Sequence, residues 1–192
     1  MSLVAALAPV VAELERLGVG YQIGGSVASS AHGVPRSTND VDVVVDLRAE
    51  HVGPLCAALR SAYYADEELV ADAVTRRSCA NLIHLASGFK VDLFVRGESE
   101  YDKSAMERGV WRGLGEAASA KTFRLSTAED VLLRKLLWYR SGGEVSERQW
   151  GDVLGVLRLR QASLDWAYLR RWADQLGLDD LLARAELQAS KG

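Results

Sequence analysis

Apolar residues recur at helical spacing at the start of the chain. Leu3, Leu7, Val10, Val11, Leu14 and Leu17 lie three to four positions apart, which predicts an amphipathic helix over 2–17. Gly18 follows as its stop. The pattern then shortens. Val19 to Ile23 reads as a strand that runs into Gly24-Gly25-Ser26, and Ser26 is placed to cap a helix through about Ala31. Gly33 and Pro35 end that helix, and Arg36-Ser37-Thr38-Asn39 form a loop. From Asp40 to Asp46 the period becomes two. Val41, Val43 and Val45 alternate with Asp40, Asp42, Val44 and Asp46, which predicts a strand rich in β-branched residues.

A helix is expected near 50–61, with Leu55, Ala58 and Leu59 as its apolar stripe. Residues 63–78 show no clear period. Asn81 to Ala86 and Lys90 to Val95 read as two strands around a Ser87-Gly88 turn. Residues 97–120 predict a short helix and a loop. After Arg124 the texture is helical. Ser126-Thr127-Ala128-Glu129 has capping-box spacing and opens a helix over Asp130 to Arg140. Two or three further helices are expected over 147–188. Strands in the first half and helices in the second predict an α+β architecture: a sheet module over 1–124 and a helical module over 125–192 that packs against it.

Composition narrows the class without naming a function. Of 192 residues, 48% are apolar and 26% charged, which excludes a disordered or fibrous chain. No run approaches the length of a membrane span. Cys56 and Cys79 sit in no CxxC or Cys/His cluster, which argues against zinc. With no secretion signal both are expected to be reduced thiols, as in a cytoplasmic protein. The net charge of −3 is unevenly spread: residues 1–120 carry −5 and residues 121–192 carry +2. An acidic half and a mildly basic half suit the two walls of a cleft for a metal-bound polyphosphate, and equally suit ordinary surface variation.

Three features carry candidate chemistry. Gly24-Gly25-Ser26 stands where a strand meets a helix. Glycines there let the backbone approach a ligand, the helix start offers free N–H groups, and Ser26 adds a hydroxyl for a phosphate oxygen. The same make-up also serves an ordinary turn. In Asp40-Val41-Asp42 the two carboxylates share one strand face. They repel unless cations or donors neutralise them, and Mg2+ or Mn2+ is the kind of ion that carboxylates and phosphate oxygens hold. Asp92, within Lys90-Val91-Asp92-Leu93-Phe94-Val95, is costly to bury unpaired. If its strand neighbours that of Asp40 and Asp42, three carboxylates meet, and Asp92 is the one expected to assist deprotonation of an attacking hydroxyl. Arg36 can pair with a phosphate or with an acidic residue, and Thr38 can cap the loop. His32 reads as structural, and Trp138, Trp150, Trp166 and Trp172 as core.

In these residues the chain resembles the DNA polymerase β-type nucleotidyltransferase superfamily. The carriers are Ile23-Gly24-Gly25-Ser26, then Asp40-Val41-Asp42, then Val91-Asp92-Leu93-Phe94. The fuller run GGSVASSAHGVPRSTNDVDVVVD is similar to small AbiEii-like bacterial nucleotidyltransferases, some of which are toxins of toxin–antitoxin pairs. The resemblance spans roughly residues 20–160. It implies a mixed sheet with flanking helices and transfer of a nucleoside monophosphate from a nucleoside triphosphate, with Mg2+ or Mn2+ held by Asp40, Asp42 and Asp92. It implies that Gly24, Gly25, Ser26, Arg36 and Thr38 bind the nucleotide. It implies that Lys135 reaches a phosphate and that Asp152 positions Lys135 or the acceptor. The acceptor it implies is RNA or a small molecule such as an antibiotic, with an antitoxin protein as a possible partner in the first case. Two alternatives stay open. Lys135, on an apolar helix face, can snorkel to the surface, and the chain can be a binding module that kept the fold without the chemistry.

Overall fold

A computed structural model describes residues 3–115 and 121–191. The chain forms two compact units. One holds Met1–Gly24 and Thr38–Leu125, the other Gly25–Ser37 and Ser126–Gly192.

The first unit is built on a seven-stranded mixed sheet. Its strands are β1 (Tyr21–Ile23), β2 (Asp40–Val45), β3 (Tyr63–Tyr64), β4 (Cys79–His84), β5 (Lys90–Val95), β6 (Val110–Leu114) and β7 (Lys121–Leu125), in the order β3-β4-β5-β2-β1-β7-β6. The pairs β2/β5 and β1/β7 are parallel and the others antiparallel. Helices α1 (Leu3–Arg16), α3 (Ala49–Leu59), α4 (Glu67–Arg76) and α5 (Glu100–Arg108) belong to the same unit. The alternation read in β2 and β5 is the alternation of the core. Val41, Val43, Val45, Val91, Leu93 and Val95 are buried. So are Leu7, Val10 and Leu14 on α1 and Leu55 and Leu59 on α3, the side chains that a half-covered sheet needs over its apolar face. On the other face Gln22 is buried and donates to the main-chain oxygens of Ala105 (2.7 Å) and Met106 (2.6 Å), which holds the last turn of α5 there.

The second unit is helical among the described residues. It contains α2 (Gly25–His32), α6 (Ala128–Ser141), α7 (Glu147–Arg160), a short 3-10 turn (Gln161–Ser163), α8 (Trp166–Leu176) and α9 (Asp179–Ala189). His32 is buried and bonds to the carbonyl oxygen of Ser126 at 2.8 Å, a structural role as expected. Gly33 is closely packed: a Cβ there would lie 3.0 Å from Val156.

Several expectations are corrected. The α2 helix already includes Gly25, at φ +51°, so Ser26 lies inside its first turn rather than at its cap. At α6 the cap is shifted by one residue: Thr127 Oγ1 accepts from the backbone N–H of Asp130 at 3.2 Å. Residues 63–78 form β3 and α4. The region 97–120, expected as a short helix and a loop, adds β6 to the helix, and β7 follows it; its residues 116–120 lie outside the described residues. Of the four tryptophans read as core only Trp172 is buried, and Trp138 is 58% exposed.

Candidate functional site

The residues singled out by the sequence fall into two groups, one in each unit. In the sheet unit β2 and β5 run parallel with Asp42 opposite Asp92 and Asp40 opposite Lys90. Period-two alternation puts Asp40, Asp42 and Asp92 on one face, the face opposite the valine core. The row extends to both sides. On β4, Asn81 stands opposite Asp92, and at the end of β1 the N–H of Gly24 donates to the carbonyl oxygen of Asp42 at 2.8 Å. Across four neighbouring strands the level reads Asn81, Asp92, Asp42, Gly24.

Local donors steer these carboxylates. The Thr38 hydroxyl donates to Asp40 Oδ1, and the Asn81 amide donates to Asp92 Oδ1. The second oxygens of Asp40 and Asp92 accept no hydrogen bond from the described residues. Asp46, just past the end of β2, is taken up by Arg96 at 2.9 Å. The donor set is oxygen-only and anionic, with two carboxylates directly opposed on adjacent strands, which suits a hard divalent cation in kind. As the side chains stand, no group of three or more His, Cys, Asp or Glu among the described residues is gathered to hold a metal ion. Cys79, next on the same face of β4, feels the row. Desolvation first, and then the negative charges of Asp92 and Asp42, push its thiol up to about 12.

In the helical unit Ser26, Arg36, Lys135 and Asp152 form one connected cluster. Lys135 is buried, so it does not snorkel. Its Nζ donates to Asp152 Oδ2 at 2.7 Å and to Gln149 Oε1 at 3.1 Å. Arg36 binds the same carboxylate, Nε to Oδ1 at 3.2 Å and Nη2 to Oδ2 at 3.3 Å, and Nη2 also donates to the Ser26 hydroxyl. Burial raises the Asp152 pKa, but the hydrogen bonds from Lys135 and Arg36 outweigh it and hold the carboxyl below its ordinary value. Two cations share one carboxylate, so the cluster carries a net positive charge beside a hydroxyl in the first turn of α2. Sequence reasoning missed Gln149, although its place three residues before Asp152 on α7 puts both on one helix face. It also missed Asn81, whose position depends on the β4/β5 register.

No protein-family model matches the sequence, and no curated protein matches it. Solved structures do. The chain superposes on ANT(2")-Ia in complex with adenylyl-2"-tobramycin with a TM-score of 0.50 and 14% identity, over 92% of this chain and 97% of that one. It superposes on an antigenic nucleotidyltransferase-like protein from Paracoccidioides brasiliensis with a TM-score of 0.50 and 15% identity, over 94% and 90% of the two chains. These likenesses give the chain an α+β nucleotidyltransferase fold. No described helix is long and apolar enough to cross a membrane.

Proposed function

We propose that the protein transfers a nucleoside monophosphate from a nucleoside triphosphate to the hydroxyl of a small-molecule acceptor. The observation that carries this reading is the strand register: Asp42 opposite Asp92, with Asp40 on the same face. Like charges placed abreast work against the fold, and a chain that keeps them has a use for a cation there. Asp40, Asp42 and Asp92 would hold Mg2+ or Mn2+, which when bound supplies positive charge against the triphosphate and the departing pyrophosphate.

The chain's own residues do the rest. Gly24 and Gly25 let the backbone approach the phosphates, and Ser26 offers its hydroxyl. Arg36 and Lys135 contribute positive charge, and Asp152 keeps both in place. Thr38 orients Asp40. Asp92 accepts the proton of the acceptor hydroxyl as its oxygen attacks the α-phosphorus. The bond from that phosphorus to the bridging oxygen breaks, and pyrophosphate leaves with that oxygen. Positioning and charge neutralisation account for the acceleration.

Two observations favour a small acceptor. One of the solved structures that share the fold was captured with adenylyl-2"-tobramycin. In the helical unit, four arginines that an RNA backbone would call on have partners within the protein: Arg140 with Asp180, Arg160 with the His32 carbonyl, Arg170 with Glu186 and Arg171 with the Trp172 ring. The test incubates the protein with triphosphates labelled at the α-phosphate, Mg2+, and either tobramycin with other polyhydroxylated small molecules or total RNA. Label on a small acceptor with release of pyrophosphate is the expected result. Label on RNA would move the function to the RNA-modifying, toxin-type reading, with an antitoxin to be sought as its partner. Absence of label and of pyrophosphate release would leave a binding module.

A further inference from the structure

The start of α7 carries a pattern that is only half used. Ser146-Glu147-Arg148-Gln149 has the spacing of a capping box. One half forms: the Ser146 hydroxyl accepts from the backbone N–H of Gln149 at 3.3 Å. In the other half the Gln149 side chain would reach back to the backbone N–H of Ser146, and among the described residues no such bond forms. The side chain goes to Lys135 instead, where Oε1 accepts from Nζ at 3.1 Å. An ammonium only donates, so the amide oxygen is the atom that faces it. A glutamate would suit this position on every local ground. It serves a capping box as well as glutamine does, its charge is favoured in the first turn of a helix, and it would attract the Lys135 ammonium directly. A neutral residue stands there all the same. Its neutrality preserves charge: Lys135 and Arg36 share the carboxylate of Asp152, and a second carboxylate at 149 would cancel the positive charge left over.

We infer that Gln149 is a positioning residue that holds Lys135 without neutralising it, and so keeps the cluster of Ser26, Arg36, Lys135 and Asp152 cationic for a phosphate chain. The inference rests on the nucleotidyl-transfer reading for the anion it names, the triphosphate, and it requires no metal ion. Gln149 has two separable effects. Its oxygen stabilises a buried ammonium, and its lack of charge strengthens the hold on an anion. Substitution can remove either one alone.

The experiment titrates the whole chain with inorganic tripolyphosphate at neutral pH without divalent metal, by calorimetry, and follows urea unfolding of each variant. Gln149→Glu keeps the acceptor and adds a charge. It is expected to unfold at or above the wild-type urea midpoint and to bind tripolyphosphate about tenfold more weakly, the effect of one added negative charge beside a polyanion. Gln149→Met adds no charge and removes the acceptor. It is expected to unfold at lower urea and to weaken binding by only about two- to threefold. In steady-state transfer the loss in Gln149→Glu falls on KM for the triphosphate more than on kcat. A residue that merely braced the fold would give the reverse order, with Gln149→Glu the milder change in every readout. Equal tripolyphosphate affinity in wild type and Gln149→Glu overturns the inference and leaves the transfer reading standing, and no binding by wild type overturns it as well. Tripolyphosphate binding that Gln149→Glu weakens, in a protein that transfers no label with Mg2+ present, overturns the transfer reading and keeps Gln149 as the residue that sets the charge of an anion site.

Discussion

In the sheet unit Asp42 and Asp92 stand abreast on neighbouring strands with like charge against like, whereas in the helical unit Asp152 is enclosed by Lys135 and Arg36. The first arrangement costs folding free energy, on the order of a few tenths to 1 kcal/mol for a directly opposed pair. The second is satisfied from within: each charge has its partner, and Lys135 is also held by Gln149. The difference separates two kinds of evidence. A cluster whose charged groups already hold one another is accounted for by the fold that contains it and needs a resemblance or an assay to give it a further role. A row of like-charged carboxylates set abreast by the strand register carries a mutual repulsion, which a ligand of opposite charge would relieve.

The sharpest way to break the contrast is to remove one member of the row. Asp42→Ala is expected to lower nucleotidyl transfer by about 10²–10³-fold or more while leaving the chain folded. Transfer assays and urea unfolding on the same preparation check both halves. A variant that loses stability in step with activity would make Asp42 an ordinary structural residue.

The opposite outcome is expected in the helical unit. Lys135→Met should destabilise the chain by about 3 kcal/mol, the lower end of the cost of breaking a buried ion pair, because Arg36 still holds Asp152. The side chains of Lys135 and Asp152 are 6% and 10% exposed, so water cannot replace the lost partner. Adding Asp152→Leu to Lys135→Met should recover part of that loss, since no carboxylate is then left behind. Equilibrium unfolding of the single and double variants measures it, and a Lys135→Met protein as stable as wild type would show the pair to contribute nothing to the fold.

The two regions also differ in how far the sequence exposed them. The β2 row was legible because period-two alternation places Asp40 and Asp42 opposite a valine face whatever the rest of the chain does. Its pairing with β5 was conditional, since nothing local dictates that strands 50 residues apart become parallel neighbours. The edge strands β3 and β6 were not legible. Tyr63–Tyr64 is too short to show a period, and Val110–Leu114 is exposed or half-buried throughout, so no apolar alternation marks it. In the helical unit the resemblance pointed to Lys135 and Asp152, but their burial and their sharing of one carboxylate with Arg36 are tertiary facts. An apolar helix face carrying a lysine reads the same whether the ammonium escapes to water or finds a carboxylate inside.

Acid should act on the helical cluster in a predictable direction. The Asp152 pKa is held below its ordinary 3.8 in the folded chain. A depressed carboxyl contributes stability that is present above the unfolded value and is lost as the pH falls through the folded one. Urea unfolding of wild type and Asp152→Asn from pH 7 down to pH 3 is therefore expected to show a constant gap at the upper end that narrows below about pH 4. A gap that widens on acidification would reverse the sign and place the cost of burial above the hydrogen bonds from Lys135 and Arg36.

The smallest effect is expected at Cys79, which reports on the row without belonging to it. Its thiol is pushed up to about 12 from 9.0 by desolvation and then by the charges of Asp92 and Asp42. Removing one of those charges lowers the thiol pKa and raises the thiolate fraction at a given alkaline pH. Asp92→Asn is expected to speed alkylation of Cys79 by iodoacetamide at pH 8.5 by roughly threefold, which corresponds to about half a pKa unit. Cys56 is buried and Cys79 exposed, so peptide mapping assigns the adduct. Mg2+ at millimolar concentration should quicken the wild-type reaction in the same direction and leave Asp42→Asn/Asp92→Asn unmoved, since a cation on the row neutralises the charges that the substitutions delete. Alkylation that responds to the substitutions but not to Mg2+ would keep the repulsion in the sheet unit and remove the cation from it.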